Sequence, residues 1–260
     1  MEILGETLSR GSMWFLFLCI FIGGLVDSIA GGGGLITLPA YYAVGIPPHM
    51  ALGTNKFASS IGTLTASIRY FKEHQINFKV GIIAAVCGMI GSPLGAKLAM
   101  AIDEKYLSYV LLVAVPIIAV MILRKKDFGQ AKTGADAPSA GKAMVLSAVI
   151  GLVIGSYDGF FGPGTGTFLT LLFNSVLGMG ILSACGTTKL VNLSSNVAAL
   201  ATYALNGNVI FSIGIRCTIF AILGNWVGSG LALKNGTKII RPIMIVIMVL
   251  LLIKVASGLF

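Results

Sequence analysis

Asp27-Ser-Ile-Ala-Gly31-Gly32-Gly33-Gly34 puts a carboxylate and four consecutive glycines inside an apolar region. Glycine loses more backbone freedom on ordering than any other residue, so a run of four ends a helix. The pattern returns. Asp158-Gly-Phe-Phe-Gly162-Pro163-Gly164-Thr165-Gly166 begins 131 positions later, again among apolar residues. An acid beside a helix-breaking loop, present twice, sets how the rest of the chain is read.

The surroundings are those of a membrane protein. Of 260 residues, 56% are hydrophobic and 10% charged, against about 25% charged in a soluble domain. The apolar runs approach or reach the roughly 17–25 residues that cross a hydrocarbon core as a helix. No run shows the period-two alternation of a membrane β-barrel. The expected fold is an all-α polytopic membrane protein. Net charge is +9, but many basic residues fall in loops or at segment ends, where they set orientation, so nucleic acid is not an expected partner. Cys19, Cys87, Cys185 and Cys217 lie singly in apolar segments, and the two histidines, His49 and His74, show no metal-ligand spacing. They read as small buried side chains, and neither a metal nor a cofactor is expected. The first apolar segment carries no convincing cleavage site and reads as a retained helix.

Along the chain, residues 1–12 are a short polar lead-in and Met13 to Ala30 is the first helix. Leu35 to Val44, after the break, is too short to span alone. Helices are expected at Ala51–Tyr70, Val80–Ala101 and Tyr106–Leu123, with a charged loop between the first two and a turn at Asp103-Glu104-Lys105. Residues 124–141 form a linker, basic at Arg124, Lys125 and Lys126 and then rich in Gly, Ala, Ser and Pro. The second half then replays the first: a helix over Lys142–Asp158, a short segment over Phe168–Leu177, and helices over Ala184–Leu205, Phe211–Leu233 and Arg241–Val255.

The repeat can be followed residue by residue. Asp27 pairs with Asp158 and Gly31 with Gly162; after an insertion of two, Lys56 pairs with Lys189, Tyr70 with Tyr203 and Gly81 with Gly214. The organisation is therefore a first membrane repeat over 1–123, the linker, and a second repeat over 142–260. Interrupted helices in matching halves are the sequence signature of a secondary-transporter site. The basic linker marks its own side as cytoplasmic. Two crossings for each of the stretches 13–44 and 142–177 bring Lys234, Lys238 and Arg241 to that side too. The charge rule thus favours inverted repeats, with broken or re-entrant helices and about 8–10 membrane segments.

The helix after each break carries a polar stripe. Lys56, Ser59, Thr63, Ser67 and Tyr70 are spaced to share one helical face, as are Lys189, Asn192, Asn196, Leu200 and Tyr203. A lysine within a membrane helix costs about 3 kcal/mol on insertion scales, so these faces should point inward and the lysines need partners. The candidates are the aspartates of the other broken element or a bound anion. Breaks that lead into helices add N-terminal partial positive charge. Lysines, hydroxyls, amides and helix N-termini together suit an anion. Other readings are snorkelling lysines, aspartates that only cap helices or pair those lysines, and glycines that serve close packing, which suits Gly91/Gly95 and Gly224/Gly228. Enzyme readings fail. The glycine run lacks the ending of a phosphate-binding loop and the spacing of a dinucleotide fingerprint. Ser59 and Ser60 near Lys56 have no nucleophile in the matching position beside Lys189.

These residues resemble a known family. Asp27-x-x-x-Gly-Gly-Gly-Gly-x-Ile-x-x-Pro39 with Ala51-Leu-Gly-Thr54-Asn55-Lys56 is similar to the first half of the TauE/SafE sulfite-exporter-type permeases. Gly155-x-x-Asp158-Gly-x-x-Gly-Pro163-Gly164-Thr-Gly166 with Gly186-Thr-x-Lys189-x-x-Asn192-x-x-Ser195-Asn196 is similar to the second, so that the resemblance covers residues 13–258. It implies a carrier in a bacterial inner membrane that moves sulfite, sulfonates, sulfoacetate or related sulfur anions, usually outward. Lys56 and Lys189 would supply charge; Asn55, Ser59, Thr187, Asn192 and Asn196 would donate hydrogen bonds. Gly33, Gly34, Gly164 and Thr165 would offer the donors of the breaks. Asp27 and Asp158 are candidate coupling groups, for protons. The alternative is a channel or cation-coupled carrier in which Asp27 and Asp158 are the ion ligands.

Overall fold

The computed structural model describes residues 2–3, 6–7, 9–101 and 138–256. Apart from a short antiparallel pairing of Glu2–Ile3 with Glu6–Thr7, the described chain is helical. Helix α1 spans Arg10–Ala30, with Ser9 accepting the Ser12 N–H at 3.1 Å as its N-cap. It stops where Gly31 and Gly32 turn to φ of +76° and +98°, a region open to glycine at little cost. Helix α2, Gly34–Ala43, is ten residues long, about 15 Å and so about half of a hydrocarbon core. Helix α3 runs over Pro48–Lys72, opened by Pro48 at the position where proline is pre-set for a helix, and α4 over Phe78–Ala101.

Beyond residue 137 the pattern recurs. Helix α5 covers Ala140–Phe160, α6 Thr165–Ser175, α7 Ile181–Leu205, α8 Phe211–Asn235 and α9 Thr237–Ala256. Helix α6 begins at Thr165, three residues before the expected Phe168, because Gly164 at φ +82° caps it in the left-handed region. The expected turn at 103–105, the span at 106–123 and the linker as far as residue 137 lie outside the described residues.

The helices pack across the two halves of the sequence. Helix α4 lies against α5, and α1 against α8, while α3 and α7 touch each other at the centre. Small residues bring these backbones together. A Cβ on Gly91 or Gly95 of α4 would overlap the carbonyl oxygens of Leu152 and Ser156 on α5; one on Gly224 or Gly228 of α8 would overlap those of Phe21 and Leu25 on α1. The close-packing reading of these four glycines matches what they do.

The exposed faces are apolar. Ile82, Val86, Met89, Ile90 and Leu94 stand out from α4, Val145, Val149 and Val153 from α5, and Ile215, Ile219 and Leu223 from α8. On a chain with so few charges these are lipid-facing surfaces. By length and composition α1, α4, α5 and α8, of 21, 24, 21 and 25 residues, can each cross a membrane. The more polar α3 and α7, 25 residues each, turn their polar stripes inward. The protein is an all-α, multi-pass membrane protein.

Candidate functional site

The two breaks cross each other at the centre. A Cβ on Gly31 would overlap the backbone of Gly166 and Thr167, one on Gly166 would lie 2.7 Å from Gly31 Cα, and one on Gly34 would lie 3.2 Å from Pro163 Cα. A broken helix leaves carbonyls without partners, and in a bilayer these must be met from within the protein. They are. At the end of α1, Tyr70 Oη donates to Ser28 O at 2.9 Å, Cys185 Sγ to Ile29 O at 3.6 Å, and Thr167 Oγ1 to Ala30 O at 2.9 Å. At the end of α5, Tyr203 Oη donates to Gly159 O at 3.1 Å and Thr165 Oγ1 to Gly162 O at 2.7 Å. The tyrosines at the far ends of both polar stripes are thus tethers for the broken helices.

Each lysine reaches the aspartate of the other half. Lys56 Nζ is 2.9 Å from Asp158 Oδ2 and donates to Asn196 Oδ1 at 2.8 Å; Ser195 Oγ donates to the same Asp158 oxygen at 2.6 Å. Lys189 Nζ is 2.9 Å from Asp27 Oδ2 and also donates to the Asp27 backbone oxygen. Lys56, Lys189 and Asp158 are 3%, 1% and 3% exposed, which rules out snorkelling to water. Removing an ion from water costs several kcal/mol, offset here by an opposite charge at contact distance. The Asp27 side chain keeps 22% exposure, because it faces a cavity.

That cavity, about 580 Å³ with its open mouth included, lies between α1, α2, α3, α5, α6, α7 and α8. It brings together most of the residues singled out in the sequence. Asn55, Lys56 and Ser59 come from α3, Asn192 and Asn196 from α7, and Gly33, Gly34 and Thr165 from the starts of the two short helices; Asp27 and Asp158 complete the wall. Lys189, Thr187 and Gly164 are not on it. Lys189 is turned to the Asp27 backbone, Thr187 Oγ1 accepts the Asn77 N–H at 3.0 Å and so anchors the turn before α4, and Gly164 caps α6.

The structure adds residues that sequence reasoning passed over: Gly23, Gly24, Thr37 and Asn225. Asn225 had a signal, an amide within an otherwise apolar span, masked by its place inside the packing motif Gly224-Asn-Trp-Val-Gly228. The positions 131 residues after Gly23 and Thr37 hold Ile154 and Phe168, which do not line the cavity. Four cavity-wall atoms, Thr37 Oγ1, Asn55 Oδ1, Asn192 Oδ1 and Asn225 Oδ1, are buried with no hydrogen-bond partner among the described residues. Leaving such atoms unmet costs about 1–3 kcal/mol each, so the cavity is built for something polar.

Crossed broken helices around a polar cavity, inside a bundle with apolar outer faces, are the arrangement of a membrane transporter. The chain belongs to the TauE/SafE sulfite exporter family, whose family model, "Sulfite exporter TauE/SafE", matches residues 16–255. It is similar to a probable membrane transporter protein, ORF9, of a Sinorhizobium species, at 37% identity over 94% of this chain and 92% of that one. It is also similar to a probable membrane transporter protein of Haemophilus influenzae, at 32% identity over 89% of each chain. The probable membrane transporter protein YfcA of Escherichia coli K12 is 32% identical over 89% of this chain and 85% of its own. No solved structure matches the chain.

Proposed function

We propose that the protein is a secondary carrier for small sulfur-containing anions of the sulfite, sulfonate or sulfoacetate type, acting outward across a bacterial inner membrane. The anion binds at the interface of two repeats, residues 1–123 and 142–260, and access alternates as one repeat rocks against the other. The family's description as sulfite exporters supports the substrate class and the direction. The packing of α1 on α8 and of α5 on α4, helices at matching places in the two halves, supports the repeats.

The observation that carries the reading is Lys56 on the cavity wall. An ammonium has three N–H donors. Two of them meet Asp158 and Asn196, leaving one for an anion. A Cβ on Gly162 would lie 3.3 Å from Lys56 Nζ, so glycine there keeps the approach open. The side-chain amides of Asn55 and Asn192 make no hydrogen bond among the described residues, and either amide can turn its NH2 group to an oxyanion. The starts of α2 and α6 add the dipoles of two helix N-termini. Lys189 acts at a distance, by holding Asp27. The place of Asn55, Ser59, Asn192 and Asn196 on the wall supports their roles as donors.

The test is melting of the purified protein in detergent with sulfite, thiosulfate, sulfoacetate, taurine, sulfate and chloride, followed by efflux from loaded proteoliposomes. A sulfur anion should raise the melting temperature selectively, and the Lys56→Met/Asp158→Asn double variant, which keeps the wall neutral, should lose the response. No response to any of these anions, or an unchanged response in the double variant, overturns the proposal.

A further inference from the structure

One of the unmet atoms, an amide oxygen, cannot donate to an anion, and a second, a hydroxyl oxygen, can equally accept a cation. Asn225 Nδ2 donates to Ala221 O at 2.9 Å. That bond fixes the amide's orientation, because turning it would set its oxygen against the Ala221 carbonyl. The free atom is therefore Oδ1, an acceptor, on a side chain 3% exposed. The placement is built. Cβ atoms on Gly24 of α1 and Gly62 of α3 would lie 2.9 and 2.6 Å from Asn225 Nδ2, so the amide occupies room that two glycines leave. The second atom is Thr37 Oγ1, on a side chain 6% exposed whose methyl group packs against Gly23, the neighbour of Gly24. One turn further along α1 is Asp27. A Cβ on Gly33 would lie 2.8 Å from the Asp27 Cβ, which ties that carboxylate to the start of α2 four residues before Thr37. Asp27 gives Oδ2 to Lys189, and its Oδ1 has no partner among the described residues.

The charges lead the same way. The two lysines and two aspartates of the site cancel. An anion entering alone would bring uncompensated charge into the interior of the bundle, away from bulk water, where charge is costly. A cation bound beside it restores neutrality. Hard neutral oxygens with one carboxylate oxygen suit a hard cation, and among the described residues no group of three or more His, Cys, Asp and Glu offers a transition-metal site.

We infer that the cavity also holds an alkali-metal cation, seated between Thr37 Oγ1, Asn225 Oδ1 and the free Oδ1 of Asp27, and that this cation is bound together with the anion. The pairing with an anion rests on the proposed function; the cation site stands on its own geometry. Sodium and potassium share the chemistry, and the two differ in consequence, since cells hold potassium inside and sodium outside.

The experiment is melting of the full-length protein in sodium, potassium or choline chloride at equal ionic strength, with and without sulfite or sulfoacetate supplied as the choline salt. Sodium or potassium should raise the melting temperature saturably over choline and strengthen the response to the anion. Thr37→Val, close to isosteric, should weaken the apparent cation affinity by roughly tenfold, the scale of one lost ligand contact. Asn225→Leu, close in volume and without the acceptor, should weaken it too. Identical melting in all three chlorides overturns the site, as does a cation shift untouched by both variants. If Thr37→Val does not fold, Asn225→Leu decides alone, and unchanged or tighter cation affinity there overturns the site. An anion response in choline with no cation effect removes this inference and leaves the carrier. A cation effect with no anion response anywhere removes the carrier reading and leaves the site.

Discussion

Lys56 and Asp158 show how stability and ligand binding can be separated at a single pair. Asp158→Asn alone leaves a buried ammonium without its carboxylate, a loss of about 3–5 kcal/mol that should appear as a large drop in melting temperature. Lys56→Met/Asp158→Asn removes both charges, so the melting temperature should recover most of that drop while the anion response stays absent. A double variant as unstable as the single one would count against the pair as a self-contained unit. The lysines and aspartates were legible in the sequence because the same residue types return at spacings of 131 and 133. The spacing offers each lysine the aspartate of the other break or a bound anion, and does not choose between them. The cross-pairing follows only once the two breaks are seen to overlap, with Gly31 against Gly166. Asn225 was not legible as a wall residue, because its role depends on the space left by Gly24 and Gly62 on two other helices.

The short helices and the breaks before them belong to the next scale. Gly31 and Gly45 both have φ near +80°, at +76° and +83°, but a Cβ on Gly31 runs into the second break and one on Gly45 meets nothing within 4 Å. Gly45→Ala should therefore cost only the backbone strain of about 1–2 kcal/mol. Gly31→Ala should abolish folding, read as loss of the monodisperse peak in detergent. Gly95→Leu should act likewise through the α4–α5 contact, whereas Gly141→Ala, with open space around it, should be silent. Equal behaviour of Gly31→Ala and Gly45→Ala would mean that strain, and not the crossing, is what the glycine run serves. The break positions were legible from composition. The early start of α6 was not, because Thr165 and Gly166 read as loop until Gly164 is seen to act as a cap.

Across the whole molecule, each half supplies what the other lacks. Helix α1 finds its packing partner in α8 and α5 finds its own in α4, and both buried lysines take their counter-charge from the opposite half. Residues 1–137 expressed alone should fail to accumulate, and so should residues 138–260, whereas the two expressed together should assemble and co-purify. Independent accumulation of either piece would contradict the interlocking. The recurrence of Asp, Gly, Lys and Tyr was readable from their spacing, but this exchange of partners was not, since recurring spacing says nothing about which helix another leans on.

Gly23 and Thr37 line the cavity while Ile154 and Phe168, 131 positions on, do not, so the two halves of the described chain furnish it unequally. For the proposed carrier, unequal furnishing means unlike doorways for the cargo, the behaviour of a rectifier. In vesicles with all molecules facing one way, saturating uptake and saturating release should run at different maximal speeds, even though neither can move cargo against its own gradient unaided.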